Sequence, residues 1–309
     1  MINFPEEFFR AQDRLDFHID ETMKKAWAIQ LTVLDNVLKI ADHNHIKVWL
    51  DYGSLLGAVR HNGYIPWDDD IDVCVMRKDY LILLAALKRE LPEYYRVRSF
   101  YHTENYTQPK AFISNRENVD NGSDPKEKEI TDIFFGLPYV AGIDLYPLDY
   151  VPSNPEQAEL IRNIYIAVYD LAFSFDKYKE NGEFEEYATQ IEEILNVTIP
   201  RDETARTAIW KLADSVAMIA KKNESDSILW YPDWAMRTND MRRPLSAYAE
   251  TNLVDFEVLK APIPAGYDDV LKACYGSGYI TPVHTESTHG YPFYKEQQEW
   301  LDRNKTKRV

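Results

Sequence analysis

Four aspartates fall within five positions, Asp68, Asp69, Asp70 and Asp72, in the segment WLDYGSLLGAVRHNGYIPWDDDIDVCVM at residues 49–76. If DIDVCVM is a strand, alternation sets Asp70, Asp72, Cys74 and Met76 on one face and Ile71, Val73 and Val75 on the other. Carboxylates two apart on a strand stand about 6.5–7 Å apart at the backbone, so both can converge on one hard cation or on two adjacent ones. Magnesium suits such a pair, because it prefers oxygen ligands and combines few carboxylates with substrate phosphates. A solvated turn at residues 68–70, leading into a strand with only Asp72 partly buried, accounts for the same spacing.

A third acid bears on that choice. In GIDLYPLD, Asp144 lies between Ile143 and Leu145 on another apolar stretch and points away from both. It faces the Asp70/Asp72 pair if the two strands are neighbours; alone, it reads rather as an aspartate bonded to loop backbone. Three strand-borne carboxylates converging on divalent ions suit phosphoryl or nucleotidyl transfer, where metal neutralises phosphate charge and lowers the pKa of an attacking hydroxyl. Upstream, Gly53 lets backbone approach a ligand closely, and a helix starting near Ser54 offers free N–H groups to a phosphate. Arg60 and His61 would add positive charge there, or are ordinary surface residues.

The elements that must position these groups follow from periodicity. Phe8, Leu15, Ile19, Met23, Trp27, Leu31, Leu34 and Leu38 recur at helical spacing, predicting one long helix or two joined helices over residues 5–44. IKVWLDY reads as a buried strand stopped by Gly53, SLLGAVRH as a short helix capped by Ser54, and DYLILLAALKREL as an amphipathic helix. YYRVRSF, KAFISN and GIDLYPLDYVP are further strands, and residues 117–129 read as an exposed loop. From about 155 to 222 the pattern is helical; from about 228 it mixes Pro, Gly and aromatics with short strand-like pieces such as NLVDFEVLKAPIP. The class is therefore α+β: a mixed β-sheet with flanking helices over residues 1–154, and a more helical region over 155–309 that completes the donor and acceptor side.

The 309 residues are enough for a well-buried core, and 45% apolar with 28% charged residues describes an ordinary globular chain. A net charge of −16 argues against an unaided nucleic-acid surface and gives no attraction to anionic membranes. It leaves nucleotides open, since a divalent cation neutralises carboxylates and phosphates together. Cys74 and Cys274 are too few for a disulfide framework or a thiolate zinc site and read as small buried hydrophobes. The first twenty residues lack a signal-peptide pattern and no apolar run is long enough to span a bilayer, so a cytoplasmic location is the default. Peripheral membrane contact through residues 5–44 stays open.

Gly53-Ser54 followed by Asp70-x-Asp72 and a later strand aspartate resembles the polymerase-β-type nucleotidyltransferase superfamily. DYGSLLGAVRHNGYIPWDDDIDV, then GIDLYPLDYVP, then CYGSGYITPVHTESTHG, is more closely similar to the LicD family of phosphocholine transferases. That resemblance implies transfer of phosphocholine from CDP-choline to a sugar hydroxyl of a cell-surface glycan or its lipid-linked precursor. It also implies magnesium or manganese held by Asp70 and Asp72, with Asp144 as a third ligand or as the group that helps deprotonate the acceptor. Gly53 and Ser54 would hold the donor phosphates, with Arg60 and Asp68 nearby, and His289 would sit near the site.

A choline headgroup calls for aromatic faces, and Tyr52, Tyr64 and Trp67 flank the acidic motif. Two other readings compete. One keeps the fold but transfers a nucleotidyl group from CTP or another NTP, or a polyol phosphate from a CDP donor. The other is a calcium-binding interaction module, against which stands the lack of an EF-hand ligand pattern.

Overall fold

The computed structural model describes residues 2–284 and 290–305. The long amino-terminal helix expected from periodicity is in fact three pieces. Glu6–Phe9 makes a single 3-10 turn, and β1 (Gln12–Arg14) and β2 (Phe17–Ile19) then form a hairpin. Leu15 and Asp16 close it with φ values of 48° and 59°, the mirror-image turn that matches the twist of paired strands. Helix α1 (Glu21–His43) begins only after this, where the Asp20 carboxylate accepts the Met23 N–H at 2.7 Å. Phe8 and Leu15 fit the helical period by coincidence: Phe8 folds back on the core, and Leu15 sits exposed at the hairpin tip.

Behind α1 lies the sheet. In chain order come β3 (Val48–Leu50), α2 (Tyr52–His61), β4 (Asp72–Met76), α3 (Arg77–Glu90), β5 (Arg96–Arg98), β6 (Ala111–Ser114), α4 (Pro125–Ile133) and β7 (Gly142–Pro152). The strands order as β3-β4-β7-β6-β5. β4 and β7 run parallel while the remaining pairs are antiparallel, which makes the sheet mixed. Val73, Cys74, Val75, Ile143 and Leu145 are fully buried, as expected of central strands covered on both faces. The polar stretch at residues 117–129 is exposed but not all loop, because Asp124 accepts the Lys126 N–H and Pro125 opens α4.

The carboxy-terminal half of β7 leads into a second core. Helices α5 (Pro155–Phe173), α6 (Phe175–Asn181), α7 (Phe184–Leu195) and α8 (Ala205–Ala217) pack Tyr165, Tyr169, Phe184 and Trp210 together. β8 (Ser225–Leu229) pairs with β7 from Asp149 onward, so one strand carries both cores. α9 (Asp233–Met236) and β9 (Arg243–Pro244) follow. The hairpin β10 (Thr251–Phe256) and β11 (Leu259–Pro264), α10 (Tyr267–Tyr275) and α11 (Lys295–Lys305) return to the first core through Phe256, Ile263, Leu271 and Leu301.

Arg77, at the start of α3, ties the two cores by donating to Asp149 of β7 and Asp214 of α8 at 2.7–2.8 Å. The fold is α+β, with a central mixed sheet and flanking helices. Among the described residues, no helix is long and apolar enough to cross a membrane.

Candidate active site

A cleft of about 960 Å³ opens over the ends of β4 and β7. In the parallel pairing Asp72 and Asp144 are direct register partners, so their side chains leave the sheet on the same face. Asp70 lies just ahead of β4, and it lines the same cleft together with Asp68, Asp72 and Asp144.

The local chain holds these acids in place. The Trp27 indole N–H donates to the Asp68 carbonyl at 3.2 Å, and the Gln30 amide donates to the Asp69 carbonyl at 2.7 Å. The Asp69 carboxylate is buried and accepts the Phe293 N–H at 2.5 Å. The acidic turn is therefore clamped by α1 on one side and by the segment entering α11 on the other.

Helix α2 forms the facing wall. Its cap is Asp51, whose side chain accepts the Tyr52 N–H at 2.8 Å, and not Ser54 as the sequence had implied. Ser54 lies inside the helix, buried, and its hydroxyl accepts the Asp72 N–H at 2.9 Å, binding α2 to β4. That bond commits the Ser54 oxygen to the scaffold, while Gly53 and Arg60 line the cleft.

A Cβ on Gly53 would stand 2.6 Å from Asp68 Oδ2, so any larger residue there would displace the Asp68 carboxylate. Tyr52, beside it, has a φ of 39°, a left-handed backbone that costs strain in a bulky residue. The Arg60 guanidinium reaches across to the Tyr279 carbonyl at 3.1 Å, and so fixes the loop that borders the cleft.

Charge in the cleft is unbalanced toward the negative. Burial, then Asp70, pushes the Asp68 carboxyl well above the usual range; burial, then Asp70 and Asp144, does the same to Asp72. Asp72 Oδ1 is buried and finds no hydrogen-bond partner among the described residues. The nearest cation is Lys110, whose ammonium sits 2.6 Å from Asp144 Oδ2 and 3.1 Å from the Tyr146 hydroxyl. Burial pulls its pKa down, but Asp144 and Asp72 more than offset this and raise it.

Oxygen-only donors, mutual repulsion and an orphaned buried carboxylate oxygen fit a hard divalent cation at Asp70, Asp72 and Asp144. Among the described residues no three His, Cys, Asp or Glu side chains cage an ion by themselves. A cation held there would need substrate phosphates and water to complete its shell.

The aromatic candidates divide. Tyr52 and Trp67 line the cleft. Tyr64 does not serve as a cage: its ring stacks on Trp27 at 4.3 Å in the core, and its hydroxyl donates to Gln30 Oε1 at 3.0 Å. It instead braces the glutamine that holds the acidic turn. His289 lies outside the described residues.

Several cleft residues carry no local sequence signal. Tyr146 and Trp230 meet at 4.7 Å and 83°, and Tyr52 meets Tyr146 at 5.1 Å and 64°, building a corner of near-perpendicular rings. The buried Asp233 accepts the Tyr52 hydroxyl at 2.6 Å, with the Arg237 Nε 3.9 Å from its other oxygen. Of these residues only Tyr146, two positions after Asp144, could have been found by extending the strand alternation; Lys110, Trp230 and Asp233 come from distant elements.

Residues 45–134 match the family model described as LicD/FKTN/FKRP, nucleotidyltransferase domain. The lipopolysaccharide cholinephosphotransferase LicD of Haemophilus influenzae is 32% identical over 131 residues, 41% of this chain and 49% of that protein. An uncharacterized protein of Rickettsia typhi is 33% identical over 131 residues, 42% of this chain and 37% of that protein. The human ribitol 5-phosphate transferase FKRP is 42% identical over 43 residues, 14% of this chain and 9% of that protein. The chain thus matches about half the length of the Haemophilus relative and less of the others.

Proposed function

We propose that this chain, whose residues 45–134 match the LicD-type nucleotidyltransferase domain, is a metal-dependent transferase that moves phosphocholine from CDP-choline to a sugar hydroxyl of a cell-surface glycan or its lipid-linked precursor. The observation that carries this reading is the register pairing of Asp72 with Asp144 on the cleft face, flanked by Asp70. The acceptor oxygen attacks the phosphorus that bears choline. The bond from that phosphorus to the bridging oxygen breaks, CMP leaves, and the hydroxyl proton passes toward Asp144. Asp70 and Asp72 would hold magnesium or manganese beside Asp144, and the ion would supply neutralisation of the phosphate oxygens and the leaving group.

The chain's own residues do the rest. Gly53 keeps the wall of α2 close enough for the pyrophosphate to meet backbone. Lys110 offsets the charge of Asp144 and donates toward the incoming phosphate. The corner of Tyr52, Tyr146 and Trp230 supports choline over a polyol, since aromatic faces attract quaternary ammonium groups. Lys110 Nζ stands 5.1 Å from the Tyr146 ring and the buried Arg243 guanidinium 4.8 Å from the Tyr52 ring, so a choline group would share these rings with cations of the chain.

Two alternatives use the same carboxylates: nucleotidyl transfer from CTP or another NTP, and polyol-phosphate transfer from a CDP donor. The Haemophilus relative is a lipopolysaccharide cholinephosphotransferase, which favours phosphocholine over nucleotidyl transfer. A cytoplasmic site of action accords with a nucleotide-activated donor. The test is CMP release from CDP-choline, CDP-ribitol and CTP in the presence of lipopolysaccharide and magnesium. CDP-choline as best donor supports the reading, and pyrophosphate release from CTP as the fastest reaction overturns it.

A further inference from the structure

A second groove, about 640 Å³, runs along the outer side of α11 against the loop before α4. Asn118, Ser123, Asp124, Glu127, Gln297 and Trp300 line it. Trp300 lines this groove and is 41% exposed, so part of its indole is open to a ligand. Gln297 lines both this groove and the main cleft. Its amide is locked in place: Val140 N–H donates to Oε1 at 2.9 Å, and Nε2 donates to the Val140 carbonyl at 3.0 Å. Val140 also borders the cleft, and β7 begins two residues later on its way to Asp144. The groove and the catalytic carboxylates thus share one wall.

An indole platform among side-chain amides, a hydroxyl and carboxylates is the composition that recognises a saccharide. The apolar C–H face of a sugar packs on the ring, and its hydroxyls pair with the polar groups. The acids give the class of sugar. Asp124, Glu127 and Glu296 border the groove, and no Lys or Arg lines it among the described residues. Asp124 is engaged as the cap of α4, and Glu127 Oε2 stands 3.6 Å from Arg116 without a hydrogen bond. An anionic saccharide meets only repulsion here.

We propose that this groove is an acceptor subsite that binds an uncharged or amino-substituted saccharide and leads its hydroxyl over Gln297 toward Asp144. The assignment of acceptor rests on the transferase reading of the main cleft; the saccharide binding does not.

The test titrates the full chain, without nucleotide, with three probes: tri-N-acetylglucosamine, triglucosamine and trigalacturonate. Binding is followed by calorimetry for the wild type, Trp300→Ala and Trp300→Phe, and Mg2+-dependent CDP-choline binding is measured in parallel. The expected result is binding of the neutral or the amino trisaccharide, weakened at least tenfold by Trp300→Ala and largely restored by Trp300→Phe. Trigalacturonate stays unbound. Saccharide binding that follows Trp300 in a chain that does not bind CDP-choline upholds the groove and overturns the donor reading alone. No binding of either non-anionic probe, equal binding by Trp300→Ala, or a preference for trigalacturonate overturns the proposal.

Discussion

Asp72 and Asp144 sit opposite each other across the parallel pair β4–β7, and the carboxyl of Asp72 is held above its ordinary pKa first by burial and then by Asp70 and Asp144. With the folded pKa raised, keeping Asp72 ionised at neutral pH works against the fold. Asp72→Asn therefore raises the metal-free melting temperature by a few degrees, on the order of 1 kcal/mol, while abolishing transfer. Calorimetric melting beside a CMP-release assay checks both halves.

Gly53→Ala tests the close approach to Asp68. The added Cβ would lie 2.6 Å from the carboxylate oxygen, so Asp68 must move. Alanine suits a helix better than glycine, so the melting temperature holds or rises. Turnover falls by roughly tenfold to a hundredfold, the scale expected for a misplacement near 1 Å. A steady-state assay on folded protein separates the two effects.

Lys110→Met removes the ammonium that lies 2.6 Å from Asp144. Losing a charged partner destabilises the metal-free protein by about 1–3 kcal/mol. Magnesium then raises the melting temperature more than in the wild type, because it takes over the neutralisation of Asp144. Thermal melts with and without magnesium measure that difference, and a smaller magnesium shift in the variant contradicts this role for Lys110.

Lys24 is buried over the rings of Phe8 and Trp27. Burial lowers its pKa to about 8, with Glu257 opposing and Arg14 adding to the shift. Between about pH 8 and the ordinary value of 10.5, the unfolded chain holds a proton that the folded chain has released. Raising the pH through that window therefore adds stability through Lys24, at up to about 1.4 kcal/mol per pH unit. Urea denaturation of the wild type and of Lys24→Met across that window shows this as a slope that the wild type has relative to the variant.

What the sequence reveals of this molecule follows from how local each signal is. The strand over GIDLYPLDYVP and the direction of Asp144 away from Ile143 and Leu145 come from period-two alternation, while the pairing of β4 with β7 that brings Asp144 opposite Asp72 comes from the structure alone. The amino-terminal helix was overextended because the Leu15–Asp16 turn carries no glycine or asparagine to mark it. Asp51 and Ser54, three residues apart, are equally good capping types in the sequence, and only the bond from the Tyr52 N–H to the Asp51 carboxylate decides between them.

Tyr64 looked like a ligand-binding aromatic through its place next to the acidic motif, yet Trp27 claims its ring. Gln30, Lys110, Trp230 and Asp233 were invisible as site residues. Each is a single polar or aromatic side chain on a remote element, and tertiary packing alone brings it to the cleft; Asp233 meets Tyr52 across 181 positions of chain.

The most direct test of the central claim is calorimetric titration of CDP-choline into the wild type and Asp72→Asn, each with and without magnesium. The expectation is tight binding only to the wild type and only with magnesium, with CTP and CDP-ribitol weaker under the same conditions. Binding of CDP-choline that ignores both magnesium and Asp72, or a clear preference for CTP, would contradict it.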